Sequence, residues 1–269
     1  MKKKWTGERL ETFIYTRDAI DHLHRYAIVK DYAADKYVLD IASGEGYGSN
    51  LISKIAKSVV GVDIDQESVD KATVKYKKSN LIFKVGRADF IPLENDSVDV
   101  VVSFETLEHH DKHQEMFDEI KRVLKPNGVL IMSTPDKLYY SDKRNFLNEF
   151  HVKELYKNEF HELVSKNFRN KQFLSQNYIN GNSFLQIDDQ HQVKEVYGGD
   201  YNSINISFLE PLYLLSISSD GDFLPQKNSV FNGMKIVEHE ILENFKKSNS
   251  FKLGNFLLSP IKFFKRFLK

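Results

Sequence analysis

The chain has 269 residues, enough to bury a sizeable core in one large domain or in a domain with an appendage. Its 38 basic residues balance 38 acidic ones, so no global charge points to nucleic acid. The absence of cysteine excludes disulfides and thiolate metal sites and fits a reducing, cytoplasmic setting.

Residues 1–9 are lysine-rich and lead into no apolar stretch, so they are not read as a secretory signal. No run approaches the roughly 18 apolar residues that span a bilayer. Residues 8–30 place Leu10, Phe13, Ile14, Ile20, Leu23, Tyr26 and Ala27 near helical spacing. Segment 1–36 therefore reads as a helical lid, with Arg25 and Tyr26 of His22-Leu23-His24-Arg25-Tyr26 facing a cofactor and Arg25 available for a carboxylate.

From residue 37 strands and helices alternate. Strands are expected at 37–41, 59–62, 81–85, 98–103 and 129–133, and helices at 51–56, 67–78 and 112–124. Lys125-Pro126-Asn127-Gly128 ends the last of these helices and turns into the fifth strand. Repeating β-α-β units with short links give a doubly wound α/β fold, with ligands at the carboxyl ends of the strands. Further on, 152–167 reads as a helix and 169–175 and 211–219 as strands. Residues 176–210, too long for one hairpin, are expected to fold over the ligand edge and shape a substrate pocket. The domain proper is placed at 37–250, with a helix at 233–247. The tail, 251–269, has five basic residues and no acidic one, interleaved with Phe, Leu and Ile. It reads as an amphipathic segment that lies on the inner face of the membrane, or packs on its own domain or a second subunit of a homodimer.

The turn after the first strand fixes the cofactor. An apolar strand runs into Ala42-Ser43-Gly44-Glu45-Gly46-Tyr47-Gly48-Ser49, where glycines permit positive φ and close approach of a ligand, ahead of a helix N-terminus. A nicotinamide turn would follow Gly-x-Gly-x-x-Gly, and Ser49 stands where its third glycine belongs. Asp40 closes a buried strand and needs a partner such as an ammonium. Asp63 ends the second strand, placed for a ribose. Asp89 follows the third, placed for an exocyclic amine.

This set resembles the class I S-adenosylmethionine-dependent methyltransferases over residues 37–135. In that resemblance Asp40, Ala42, Gly44 and Gly46 form the first motif, which holds the methionine end. Alanine stands at 42 where the family usually has glycine, a departure of one methyl. Asp63 and Ile64 correspond to the ribose acid and the adenine wall, Ala88 and Asp89 to the adenine-contacting pair, and Phe104 begins the loop after the fourth strand. The family's sheet has seven strands, mostly parallel, in the order 3-2-1-4-5-7-6 with strand 7 antiparallel. Gly7-Glu8-Arg9, His22–Tyr26, Ser133-Thr134-Pro135-Asp136 and Phe150–Glu154 resemble a narrower group associated with bacterial surface-polysaccharide assembly. That resemblance implies methylation of a hydroxyl on a saccharide or glycan precursor.

A sugar hydroxyl is a weak nucleophile, so a general base is expected, and histidine is the commonest choice. His110 and His151 are the candidates, on loops leaving the carboxyl ends of strands. No metal is expected. The alternative is a hard divalent cation on Glu105, Glu108 and His109, because Glu-x-x-Glu-His resembles a loop of ubiquinone-pathway O-methyltransferases. Competing readings are an O-methyltransferase of a quinone or other lipid-like acceptor, and a module that binds S-adenosylmethionine without catalysis.

Overall fold

The computed structural model describes residues 10–188, 196–207 and 209–258 in full and the backbone of 259–266. Gly7-Glu8-Arg9 lies outside the described residues. In chain order the helix α1 (Arg17–Ala33) precedes β1 (Tyr37–Ile41), α2 (Tyr47–Ile52), β2 (Ser58–Asp63), α3 (Gln66–Lys75), β3 (Leu81–Val85), β4 (Val98–Phe104), α4 (His113–Val123) and β5 (Leu124–Pro135). The second half holds α5 (Lys157–Asn167), β6 (Asn170–Ile179), β7 (Asn182–Ile187), β8 (Val196–Gly199), β9 (Ile204–Ser207), β10 (Tyr213–Ser219), β11 (Ser229–Asn232), α6 (Met234–Lys247) and α7 (Asn249–Arg266).

β1 is buried on both faces after its first residue, which is why it reads as an apolar run interrupted only by Asp40. It pairs in parallel with β2 on one side and β4 on the other. Alternate side chains feed two cores. Val38, Val100, Val102 and Ile131 meet α1 and α2 residues such as Val29 and Ile52 on one face. Leu39, Val101, Leu130 and Met132 meet Met116, Phe117, Ile120, Phe160 and Val164 of α4 and α5 on the other.

The sheet has nine strands rather than seven, in the order β3-β2-β1-β4-β5-β10-β6-β7-β11. The antiparallel neighbour of β5 is the tenth strand because β7, β8 and β9 intervene in sequence, and β7 and β11 extend the far edge. Residues 176–210 hold two hairpins. Asn180 and Gly181, both at positive φ (46° and 84°), close β6 onto β7 in a two-residue turn, the geometry an Asn-Gly pair favours. β7 packs beside α1.

The first helix begins at Arg17, later than its apolar spacing suggests, with residues 10–16 running ahead of it as irregular chain. α6 and α7 expose Ile241, Leu242, Phe245, Leu253, Phe256, Leu257 and Leu258. Among the described residues no helix is long and apolar enough to cross a membrane.

Candidate active site

The loops at the carboxyl ends of β1, β2, β3, β4 and β5 enclose one cavity of about 810 Å³. Leu10, Ile14, Arg17, Asp18 and His22 close it from the N-terminal side, and Tyr140, Phe146, His151 and Tyr213 from the opposite wall.

One end is the glycine turn. Ala42, Gly44 and Gly46 take φ of 58°, 54° and 84°. Alanine at 42 is therefore more than one extra methyl: it holds a left-handed conformation that glycine would hold without the steric cost. Gly48 is required by packing, since a Cβ there would sit 1.9 Å from the Tyr26 ring. Gly46 caps α2, and a Cβ on it would strike Phe83 and Ala72. It lies behind the cavity wall. Asp63, almost fully buried, accepts from the backbone N–H groups of Gly44 (2.8 Å) and Asp65 (2.9 Å), tying the end of β2 to the turn while facing the cavity. Beside it Ile64 is 66% exposed, an apolar side chain left open on the cavity wall next to Ala88. Asp89 also lines the cavity, but its carboxylate is engaged by Arg87 and by Lys112 at 3.0 Å. Arg87 first, with Lys112 assisting, holds it well below the usual carboxylate range.

Two more of the expected cofactor residues, Asp40 and Arg25, stand outside the cavity lining. Asp40 does not reach the cavity: Ser49 Oγ donates to it at 2.6 Å and Tyr26 Oη at 3.3 Å, so its carboxylate anchors α2 and α1 beneath the turn. Ser49, in place of a third glycine, thus supplies the partner that the buried carboxylate needs. Arg25 is also absent from the cavity wall. It is wholly buried, with Nε donating to Gln176 at 2.6 Å, Nη1 2.9 Å from Glu105, and its guanidinium over the Tyr213 ring. The carboxylate it meets is the protein's own. Tyr26 does line the cavity, packed edge-on against Phe104.

The other end is a cluster of imidazoles. A short 3₁₀ turn, Leu107–His109, follows β4, and the Glu108 carbonyl accepts from the N–H groups of Val152 and Lys153 (2.8 and 3.0 Å). Two loops distant in sequence are thereby stitched together, and the His109 and His151 rings stand 5.2 Å apart. Glu108 is 1% exposed, and Thr134 Oγ1 donates to it at 3.1 Å. Burial, then the nearby Glu105 charge, pushes its carboxyl well up. His151 Nδ1 donates to the Glu154 carboxylate at 2.5 Å, and its Nε2 accepts from the Asn148 amide at 3.0 Å. His110 lines the cavity with both ring nitrogens shielded from water and without a hydrogen-bond partner. Burial, then His113, lowers its pKa and keeps it neutral. Glu105 accepts from Ser133 Oγ at 2.6 Å and sits at φ 52°, a strained position for a non-glycine residue.

Sequence reasoning missed Ser43, His22, Tyr47, Tyr140, Phe146 and Tyr213 at the cavity wall. Ser43 and Tyr47 carried a signal, being inside the glycine turn, as did His22 at the head of the His22–Tyr26 motif. Among the described residues the far wall comes from 140–151 and from Leu212 and Tyr213, while 189–195 and 208 of the 176–210 stretch lie outside the described residues.

The parallel sheet, the glycine turn after β1 and the acid ending β2 form the arrangement that the resemblance to class I S-adenosylmethionine-dependent methyltransferases implies. Residues 39–132 match the family model described as a methyltransferase domain. A probable S-adenosylmethionine-dependent methyltransferase of Mycolicibacterium smegmatis is 38% identical over 132 residues, 49% of this chain and 51% of that protein. One from Mycobacterium tuberculosis is 36% identical over 166 residues, 59% of this chain and 58% of its own length. The chain thus spans about half the length of these curated relatives. The YcgJ protein from Bacillus subtilis shares the fold with a TM-score of 0.55 at 20% identity, over 74% of this chain and all of that one. A Thermotoga maritima protein described as a possible histamine N-methyltransferase does so at 0.54 and 16%, over 76% and 91%.

The wall fits that cofactor. Ser43 Oγ is buried at the turn without a partner, as a group waiting for a polar ligand would be. Asp63 stands beside an open Ile64, an acid for hydroxyls next to an apolar face for a base.

Asp40 yields a test. Burial pushes its carboxyl up to about 7 against the hydrogen bonds from Ser49 and Tyr26, which favour the charged form. The unfolded group ionises at about pH 4, so from there to about 7 the folded chain keeps a proton that the unfolded chain has lost. Stability therefore falls as pH rises through that window. Asp40→Asn, alike in shape but unable to ionise, should flatten the decline. Urea midpoints taken from acid to neutral pH measure it, and an unchanged slope would contradict the assignment.

Proposed function

We propose that the chain is an S-adenosylmethionine-dependent O-methyltransferase acting on a hydroxyl of a saccharide, whether a surface glycan or a lipid- or nucleotide-linked precursor. One observation carries this reading: a single cavity joins the glycine turn and Asp63 to a chamber lined by His109, His110 and His151, with Phe104 and Glu105 between them. Ser43, Gly44, Asp63, Ile64 and Ala88 are the residues that would hold the cofactor. When bound, it supplies a methyl group on a positively charged sulfur. The chain's own task is to align the acceptor oxygen and keep water away. Tyr140, Phe146 and Tyr213 offer flat apolar faces, while Arg17, Asp18, Arg144 and Asn148 offer polar groups at the same wall, a mixture suited to a sugar ring. His110 accepts the proton: its unpartnered, neutral ring nitrogens are an otherwise costly feature that an acceptor hydroxyl would explain.

The deciding experiment incubates the protein with methyl-labelled cofactor and, separately, glycan precursors and quinone-type acceptors. Label in a saccharide supports the reading; label only in a quinone or lipid transfers it to that class. Failure to bind S-adenosylmethionine or its demethylated product removes it.

Asp63→Ala should weaken cofactor binding by roughly 1.5–3 kcal/mol, as for a lost hydrogen bond to a charged group, read by calorimetry. His110→Ala should lower turnover by about 10²–10⁴-fold with cofactor affinity unchanged; full turnover would place the base elsewhere. The exposed apolar residues of α6 and α7, together with the basic tail, support contact with an anionic membrane surface. Removing 251–269 should abolish co-sedimentation with anionic vesicles, and unchanged sedimentation would rule that contact out.

A further inference from the structure

The loop after β4 and the segment before α5 bring together a second set of groups with a chemistry of its own. One donor atom from each of Glu108, His109 and His151 lies within 4.8 Å of the others. We propose that these three side chains form a binding site for a divalent transition-metal cation facing the acceptor chamber.

The tautomers of the two imidazoles are set by their surroundings. His109 Nδ1 meets the Phe150 carbonyl at 3.0 Å, an oxygen that can only accept, so the proton is on Nδ1 and the Nε2 lone pair is free. That Nε2 lies 3.9 Å from Glu108 Oε1. His151 Nδ1 donates to Glu154, a carboxylate as buried as the ring itself. A histidine whose far nitrogen is held by a carbonyl or a carboxylate is oriented and made more basic, as metal-ligating histidines regularly are. Asn148 now donates to His151 Nε2 and is the one contact a cation would displace.

Glu108 supplies the charge. Its carboxylate is buried with neutral donors only, its own backbone N–H and Thr134, and no cationic side chain directly paired to it among the described residues. A carboxylate in that position either stays protonated or acquires a counter-ion. The geometry closes with little movement. Donors no more than 4.8 Å apart lie within about 2.8 Å of a common centre, so bonds of about 2.1 Å ask each to move by under 1 Å.

Two imidazoles and one carboxylate suit zinc, iron, cobalt or nickel better than magnesium or calcium, which prefer all-oxygen shells. No metal was expected from the sequence, and this set differs from the alternative reading, Glu105, Glu108 and His109, in one ligand and in the kind of metal. Glu105 is held by Arg25 and Ser133, and His151 takes its place. Three protein ligands leave a coordination position open, and Glu108, His109 and His151 all line the chamber. Binding of the cation is independent of the methyl-transfer reading. Its service as a seat for the acceptor oxygen rests on that reading.

The test uses the full chain freed of any affinity tag, stripped with chelator and titrated with Co²⁺. One equivalent should bind, with visible absorption of a low-symmetry site. His109→Ala and His151→Ala should each weaken binding at least tenfold. Glu154→Gln, which touches no metal, should weaken it by about 10–100-fold through loss of the imidazole's orienting partner. Calorimetry with the demethylated cofactor product on each variant shows that the domain remains folded. Absence of Co²⁺ binding, or binding that survives His109→Ala/His151→Ala undiminished, overturns the site whatever the outcome for methyl transfer.

Discussion

A guanidinium without access to water sits where the two halves of the cavity meet. Removing such a charge from water costs several kcal/mol unless it is well paired, and breaking the pair leaves that cost uncovered. Arg25 spends its charge on Glu105, its Nε on Gln176 and its flat face on Tyr213. One residue of α1 therefore fixes the loop after β4, the middle of β6 and the start of β10 relative to one another. The strained φ of Glu105 is the local consequence: a left-handed residue persists only where its surroundings over-determine it. Arg25 on one side and Ser133 on the other do so. Phe104 before it and Glu108 after it then face the cavity from a turn that has little freedom to vary.

Asp40 acts in the same way beneath the glycine turn. A carboxylate at the end of a buried strand is tolerable when donors reach it, and Ser49 and Tyr26 reach it from α2 and α1. Tyr26 lies flat against the space that Gly48 leaves open. The first helix is thus joined to the cofactor end through Tyr26 and to the acceptor end through Arg25. Two adjacent residues of one helix hold both ends of one cavity.

The parallel half of the sheet was legible because strands buried on both faces show as apolar runs, and residues such as 38–41 and 98–103 have no other way to fold compactly. The far edge was not. β7 and β11 are partly exposed and carry polar residues, so they show neither a run nor a clean alternation, and the one strong sign, Asn180-Gly181, is followed by polar Asn182 and Ser183. The glycine turn and Asp63 could be placed from the chain alone, because main-chain conformation and strand ends are local matters. Which carboxylate Arg25 would meet could not: Glu105 is 80 positions away, and burial decides the pairing. His151 was assigned to the right edge of the sheet, yet its partner His109 became its neighbour only through hydrogen bonds from Val152 and Lys153 to Glu108.

The division of the acidic groups follows from the same pairing. Glu105 and Glu108 are separated by less than a turn of chain, and each raises the cost of charge on the other; Glu108 bears it, its carboxyl pushed up by burial and by Glu105. Arg25 stabilises Glu105 at short range, and the buried Glu108 lacks a cation as close. Had Arg25 turned into the cavity to meet a ligand carboxylate, Glu105 would have been released and the two acids would have competed for whatever cation the chamber offered. Because it turns inward, Glu105 is neutralised within the fold. The deficit of positive charge is left at Glu108, beside His109 and His151, whose far nitrogens are already committed to Phe150 and Glu154. The choice made by one buried arginine thus determines which carboxylate remains for the acceptor end of the cavity.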